Sequence, residues 1–280
     1  MRLLPIPIRF QYSANAMTWV VAASTIYGYG ALYSDVQVTF RDGTTRDLLQ
    51  KAYPVSNFIA AGFAGSVKIG FMLVQSLMDH LALPEEALDK FAWDPIIAAV
   101  GWAPIAKAVF QAAEPAEQAL ASRLLLVGVS PTETSGIGAK VYFTRFASPD
   151  FAPKIMGRPI KVCGIGTGAG VTEYKHSIKP LFRLTSGILK AEIGRPGGWG
   201  NQLGHSISHT LGQNPRTGIS RHLNIIIVER GQFRLGKTDQ TIHYPDGTKT
   251  EFKMPAVARG YEEFLALASS AGHEGACAVC

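Results

Sequence analysis

The spacing of the apolar residues changes along the chain, and that change constrains the fold more than any other feature. From Thr18 to about residue 65 the text reads TWVVAAST, ALYSDVQVTF, TTRDLLQKAY and NFIAAGFAG, punctuated by Gly28-Tyr29-Gly30 and by a tight turn at Asp42-Gly43. These runs are β-branched, apolar or alternating. In the second, Leu32, Ser34, Val36 and Val38 alternate with Tyr33, Asp35, Gln37 and Thr39. Period two is the mark of strands, so this stretch is read as about four short antiparallel strands. Helical spacing then takes over: Val67, Phe71, Val74 and Met78 form one apolar face, and Met72, Leu73 and Leu77 a second beside it. Such a helix is expected to be buried on two sides.

A second helix is expected over residues 94–121. RLLLVGV, KVYFTRF and IKVCGIG return to strand character. VTEYKHSIKPLFRL, interrupted by Pro180, and residues 201–212 read as helices, and HLNIIIVERG as a buried strand. Strands, two helices, strands, two helices and a final strand suit an α+β chain whose two antiparallel sheets lie between helical layers, a four-layer αββα sandwich. Past Gly231 the pattern thins to a hairpin turn at Tyr244-Pro245-Asp246-Gly247, a short helix in YEEFLALASSA and a small-residue tail. The expected division is therefore residues 1–17 as an upstream segment, 18–231 as the main domain and 232–280 as an extension.

Composition narrows the functional classes. With 47% apolar and only 17% charged residues, the chain is either rich in core or covers surface against further subunits. A net charge of +6 without a long Lys/Arg run or an aromatic-interleaved basic stripe argues against a nucleic-acid partner. Cys163, Cys277 and Cys280 cannot pair completely, which suits a reducing, cytoplasmic setting. Cys277 and Cys280 form a lone CxxC with no second ligand pair, and are read as a feature of the tail rather than a metal or redox site. No apolar run reaches the ~18 residues of a membrane span, so no membrane partner is expected. A signal peptide fits the start poorly, because Pro5 and Pro7 break the apolar stretch and Arg9 follows it. A propeptide and an upstream extension before a true start at Met17 both remain open.

Three residues in the first strands stand out chemically. Thr18 opens an apolar strand after a methionine, while Asp35 and Lys51 each interrupt an apolar run. A buried charge is costly unless paired, so the two together suggest a pair, catalytic or merely structural. Two other patterns carry less. GIGTGA satisfies a degenerate dinucleotide fingerprint but comes late, with no βαβ period around it. His205 and His209 lack the acid of a zinc-protease motif, and no cofactor is expected.

From Thr18 to about residue 80 the sequence resembles the catalytic β-subunits of proteasomes, most of all the bacterial HslV type. TWVVA is similar to that family's TTxxA start, Asp35-Val36-Gln37-Val38-Thr39 to its DxQxT strand, and Ala60–Ser66 to its AGFAGG turn, with Lys51 at its strand lysine. CGIGTGAG at 163–170 resembles its IGSGG segment, with threonine in place of serine. The resemblance implies a threonine peptidase in which Thr18 Oγ attacks a peptide carbonyl and a freed Thr18 amine is the general base. Lys51 would place positive charge near both, Asp35 would orient Lys51, the Gly65 N–H would hold the oxyanion, and Thr167 would orient the amine. Val38, Thr39, Leu49, Phe63 and Val67, with Tyr53 at the rim, would line an apolar substrate pocket that favours cleavage after Leu, Tyr or Phe. Trp19 departs from the small residue usual after the nucleophile. TGISRHLN at 217–224 lies where the family places further polar or cation-binding groups, which leaves room for a structural monovalent cation. Arg221 and His222 there are read as structural, and Gly218 and Ser220 match only loosely. The family also implies a homo-oligomeric ring or stacked double ring, fed unfolded polypeptides by an AAA+ ATPase unfoldase. A catalytically silent ring protein and a small-amide hydrolase on the same fold remain open beside it.

Overall fold

A computed structural model describes residues 18–24, 28–87, 91–135, 138–157, 162–174, 198–243, 246–273 and 278–280. Its elements are β1 (Val20–Ser24), β2 (Gly30–Asp35), β3 (Gln37–Phe40), β4 (Thr45–Asp47), β5 (Ala52–Ser56), β6 (Ile59–Ala64), α1 (Val67–Leu81), α2 (Pro95–Ala112) and α3 (Pro115–Gln118). There follow β7 (Arg123–Ser135), β8 (Gly138–Ala147), β9 (Lys154–Met156), β10 (Val162–Ile165), α4 (Gly198–Gln213), β11 (Leu223–Glu229) and β12 (Gln232–Lys237). Past these lie β13 (Gln240–His243), β14 (Lys249–Phe252), α5 (Tyr261–Ser270) and β15 (Ala278–Val279). The chain is thus α+β, with several antiparallel sheets.

One five-stranded sheet runs β10-β1-β2-β11-β12 and the other β5-β6-β7-β8-β9; β13-β14 form a hairpin and β15-β3-β4 a small third sheet. Period two decides which core each residue joins. Val20, Ala22, Leu32, Ile226 and Val228 of the first sheet meet Ala60, Leu125, Val127, Val141 and Phe143 of the second in one core. The alternate residues of the first sheet, Val21, Tyr33, Ile225 and Ile227, pack with Leu203, Ile207 and Leu211 of α4. Those of the second, Ile59, Phe63, Leu124 and Leu126, pack with α1, α2 and α5. A strand with one face toward the other sheet and one toward a helix is buried throughout, which is why β1, β2 and β6 read as apolar runs.

Several expectations are corrected. The run ALYSDVQVTF is two strands in different sheets, broken at Val36 between β2 and β3. TTRDLLQKAY is likewise split, and Lys51 lies between β4 and β5 rather than inside a strand. Among the described residues up to 65 there are six strands rather than about four. On α1 the buried face is Val67, Ile69, Gly70, Leu73, Val74, Leu77 and Leu81, whereas Met72 points outward. The second helix ends at Ala112, before Pro115 starts α3. Asp94 caps α2 by accepting from the Ile96 and Ile97 N–H groups at 2.8 and 3.1 Å. β12 pairs with β11, so the sheet continues past Gly231. The helix expected over VTEYKHSIKPLFRL lies mostly outside the described residues.

α2 carries an unexpected property. Its 18 residues have a mean hydropathy of 1.3, so by length and composition alone it could cross a bilayer. One stripe, with Ala98, Trp102, Ala106 and Phe110, is buried against the second sheet, while Ile97 and Val100 on the other side are 64% and 52% exposed.

Trp102 is fully buried, meets Phe146 edge-on at 5.1 Å and donates its indole N–H to Ser76 Oγ at 3.2 Å. Trp102→Ala should cost about 3–5 kcal/mol in urea unfolding. Lys107→Ala, on the exposed side of the same helix, should stay within about 0.5 kcal/mol.

Candidate active site

Thr18 lies two positions before Val20, the first residue of β1, and its neighbours are set by strand register. β1 pairs with β2 on one side and β10 on the other, Val20 lying opposite both Ser34 and Ile165. That register brings Asp35, at the end of β2, and Thr167, just past β10, to the start of β1. The Thr18 hydroxyl donates to Asp35 Oδ2 at 2.9 Å and the Thr18 N–H donates to Thr167 Oγ1 at 3.1 Å. Gly168 N–H donates to the Thr18 carbonyl at 3.0 Å. At Gly166, which has φ +83°, a Cβ would lie 2.4 Å from the Thr18 carbonyl oxygen, so glycine is required for this approach.

Lys51 completes the cluster. Its ammonium donates to Thr18 Oγ1 at 2.5 Å, to Asp35 Oδ1 at 2.7 Å and to the Gln37 carbonyl at 2.5 Å, so all three hydrogens have an acceptor. Asp35 in turn accepts from Trp19 N–H at 2.7 Å and Gln37 N–H at 2.9 Å as well as from Lys51 and Thr18. Both charged side chains are fully buried. Burial of this kind is tolerable only because each charge is paired and each polar atom satisfied. The hydroxyl of Thr18 therefore accepts from an ammonium and donates to a carboxylate, and its oxygen is exposed to strong positive charge.

Gly65 follows β6 and precedes Ser66, the cap of α1, whose Oγ accepts from Ile69 N–H at 3.0 Å. With φ +107° and a virtual Cβ only 2.8 Å from Ser122 Cα, Gly65 admits no side chain. Its N–H turns out of the β6 ladder and donates to the carbonyl of Cys280, while Cys280 N–H donates back to the Gly65 carbonyl at 2.9 Å. Val38, Leu49, Tyr53, Phe63 and Val67 share one core with Cys280 and Ala278. Thr39 lies opposite Val279 in the third sheet. Phe63 is turned beneath α1, where Gly70 makes room for its ring.

Trp19 packs away from the cleft, stacked on Tyr174 at 4.9 Å in the core under α4, so a large side chain after Thr18 does not crowd the site. Beside Thr167 a cavity of about 710 Å³, lined in part by Gly166, Arg123, Arg145 and Lys154, opens to solvent.

Sequence reasoning missed Gln37, which serves the cluster through its backbone and donates from Nε2 to Asp47 Oδ1 at 3.1 Å. Ser220 Oγ donates to Asp47 Oδ2 at 2.7 Å, tying the 217–224 segment to the same network. Gln37 lies two residues from Asp35, and that spacing was the available signal. It missed Cys280 because contact across 215 residues leaves no local pattern. Arg221 and His222 clamp Phe252, with the guanidinium carbon 4.0 Å and the imidazole 4.1 Å from its ring centroid. No group of three or more metal-ligating side chains gathers among the described residues.

No family model matches the chain, and no curated protein matches it. The case for its chemistry rests on this geometry.

Breaking a buried ion pair from one side leaves a stranded charge. Asp35→Ala and Lys51→Ala should each cost about 3–5 kcal/mol in urea unfolding. The double variant should lose less than the sum by about 1–3 kcal/mol, and additive losses would mean the two charges do not depend on each other. Burial pushes the His222 imidazole below its usual pKa, against the pull of Asp47. The unfolded chain thus takes up this proton more readily, so stability is present above a pKa of ~6.5 and falls as pH drops through the lower folded value. His222→Gln should flatten that acid-side loss in a pH series of thermal melts.

Proposed function

We propose that this chain is a threonine-type N-terminal-nucleophile peptidase with the αββα arrangement of proteasome β-subunits. The observation that carries the proposal is the Lys51 ammonium held 2.5 Å from Thr18 Oγ1 by a carboxylate that also binds the Thr18 hydroxyl. A purely structural pair has no need of a threonine hydroxyl between its charges. Two sheets sharing a core, with helices against their outer faces, support the layered reading.

In the uncut chain the Thr18 nitrogen belongs to the Met17–Thr18 peptide. Once that bond is opened the nitrogen becomes an amine, held by Thr167 and able to take the Oγ proton directly or through water. The Lys51 charge lowers the cost of the developing alkoxide, and Asp35 keeps the ammonium in place. Attack of Oγ on a peptide carbonyl forms a tetrahedral oxyanion, stabilised by the outward Gly65 N–H. Collapse breaks the C–N bond, with the proton passing from the Thr18 ammonium to the leaving amine. Water then adds to the ester by the same route and frees the threonine. The cavity beside Thr167 offers space for the leaving-side peptide.

The substrates are unfolded polypeptides, and the apolar core around Val38, Leu49, Tyr53 and Val67 favours an apolar residue before the cut. The exposed apolar side of α2 supports assembly into a homo-oligomeric ring in the cytoplasm, with an ATPase unfoldase as feeder.

Fluorogenic peptides that differ only before the scissile bond test this reading. Leu and Tyr substrates should exceed Arg and Asp substrates by about tenfold or more, since an unpaired charge costs several kcal/mol in such a pocket. Thr18→Ala should lose turnover by orders of magnitude. Undiminished turnover in Thr18→Ala would refute the assignment.

A further inference from the structure

The cleft beside the Thr18 cluster contains a strand of the chain itself. β15 pairs antiparallel with β3, Ala278 opposite Phe40 and Val279 opposite Thr39. On its other side Val279 bridges antiparallel to Ser66, and Cys280 exchanges two backbone hydrogen bonds with Gly65. Three residues thus lie between two backbone edges, one from β3 and one from the β6–α1 turn. The Cys280 side chain is 4% exposed and shares the apolar core of Val38, Leu49, Tyr53 and Val67. Its thiol donates to the Gly65 carbonyl at 3.5 Å, and burial pushes its pKa up to about 12, so it fills space as a neutral group. Upstream, His273 stacks on Phe40 at 3.8 Å and approaches Asp42 at 3.6 Å, fixing the base of the tail at the far end of β3.

We propose that residues 278–280 are an intramolecular ligand of the cleft, bound as the acyl side of an extended peptide, and that they regulate the site by competing with substrate. The effect on substrate rests on the peptidase reading above; the docking does not. The Gly65 N–H, the donor assigned to the oxyanion, is engaged by the Cys280 carbonyl, so substrate and tail cannot both use it. A small, neutral, apolar side chain occupies the pocket, and the backbone supplies the rest of the attachment. Such a strand holds by main-chain pairing on both sides, as in peptide addition to a sheet edge. Its departure would uncover the side of the core formed by Val38, Leu49, Tyr53 and Val67 that Ala278 and Cys280 now cover, the apolar surface a substrate side chain would then meet.

Two readouts on the full chain test this. In the native protein Cys280 should be alkylated by iodoacetamide at least about tenfold slower than in urea, since reaction needs the tail to leave. Val279→Pro, which cannot pair on both edges, should remove that protection. The same variant should lower the apparent KM for a fluorogenic peptide with little change in kcat, because a cis competitor scales affinity by the fraction of open cleft. Native Cys280 reacting as fast as in urea would overturn the docking. An active Val279→Pro enzyme with unchanged KM would overturn the competition. Protection released by proline in a protein without any turnover would uphold the docking and sink the peptidase reading instead.

Discussion

The arrangement around Thr18 depends on one buried ion pair. Lys51 and Asp35 have no access to water, and neither charge could be held there alone. Each finds what it needs in backbone that other parts of the fold deliver: the Trp19 and Gln37 N–H groups for the carboxylate, the Gln37 carbonyl for the ammonium. The Gln37 groups lie where the chain leaves one sheet at Val36 and enters another, and the Trp19 N–H comes from the residue before β1. The break that spoils a continuous strand is what gives the pair its Gln37 ligands. The hydroxyl of Thr18 occupies the remaining place, accepting from the ammonium and donating to the carboxylate.

Around that pair the two large sheets act as a positioning frame. Period-two alternation gives β1, β2 and β6 two buried faces each, and the shared core holds them in register. Register then carries precision to residues outside the strands: Thr167 reaches the Thr18 nitrogen, and Gly65 turns its N–H away from the ladder. The two glycines that flank the site, Gly65 and Gly166, adopt positive φ and leave no room for a Cβ. Backbone thus comes close to backbone on both sides of Thr18, Gly65 against Ser122 and Gly166 against Thr18 itself.

Much of this was legible in the sequence. Opposite charges in otherwise apolar runs pointed to a pair, and β-branched runs followed by helical spacing gave the α+β class. What escaped was set by tertiary contact. The break at Val36 is invisible to alternation, because both halves keep an apolar character. Lys51 was assigned to a strand because its neighbours are apolar, yet it is a short connection buried by what packs over it. Met72 fitted a second apolar face of α1, of which only Leu73 and Leu77 are buried. Cys280 was read with Cys277 as a local motif, whereas its partner is Gly65. Trp19 looked like an obstacle beside Thr18, yet its stacking on Tyr174 turns it away from the cluster.

The central claim is that Thr18 works as an N-terminal nucleophile, and N-terminal sequencing of the purified, peptide-cleaving protein tests it most directly. The account predicts a sequence beginning Thr-Trp-Val-Val-Ala in the active fraction. Active protein in which every chain still begins at Met1 would contradict it, because the Thr18 nitrogen would remain an amide and could not serve as the base.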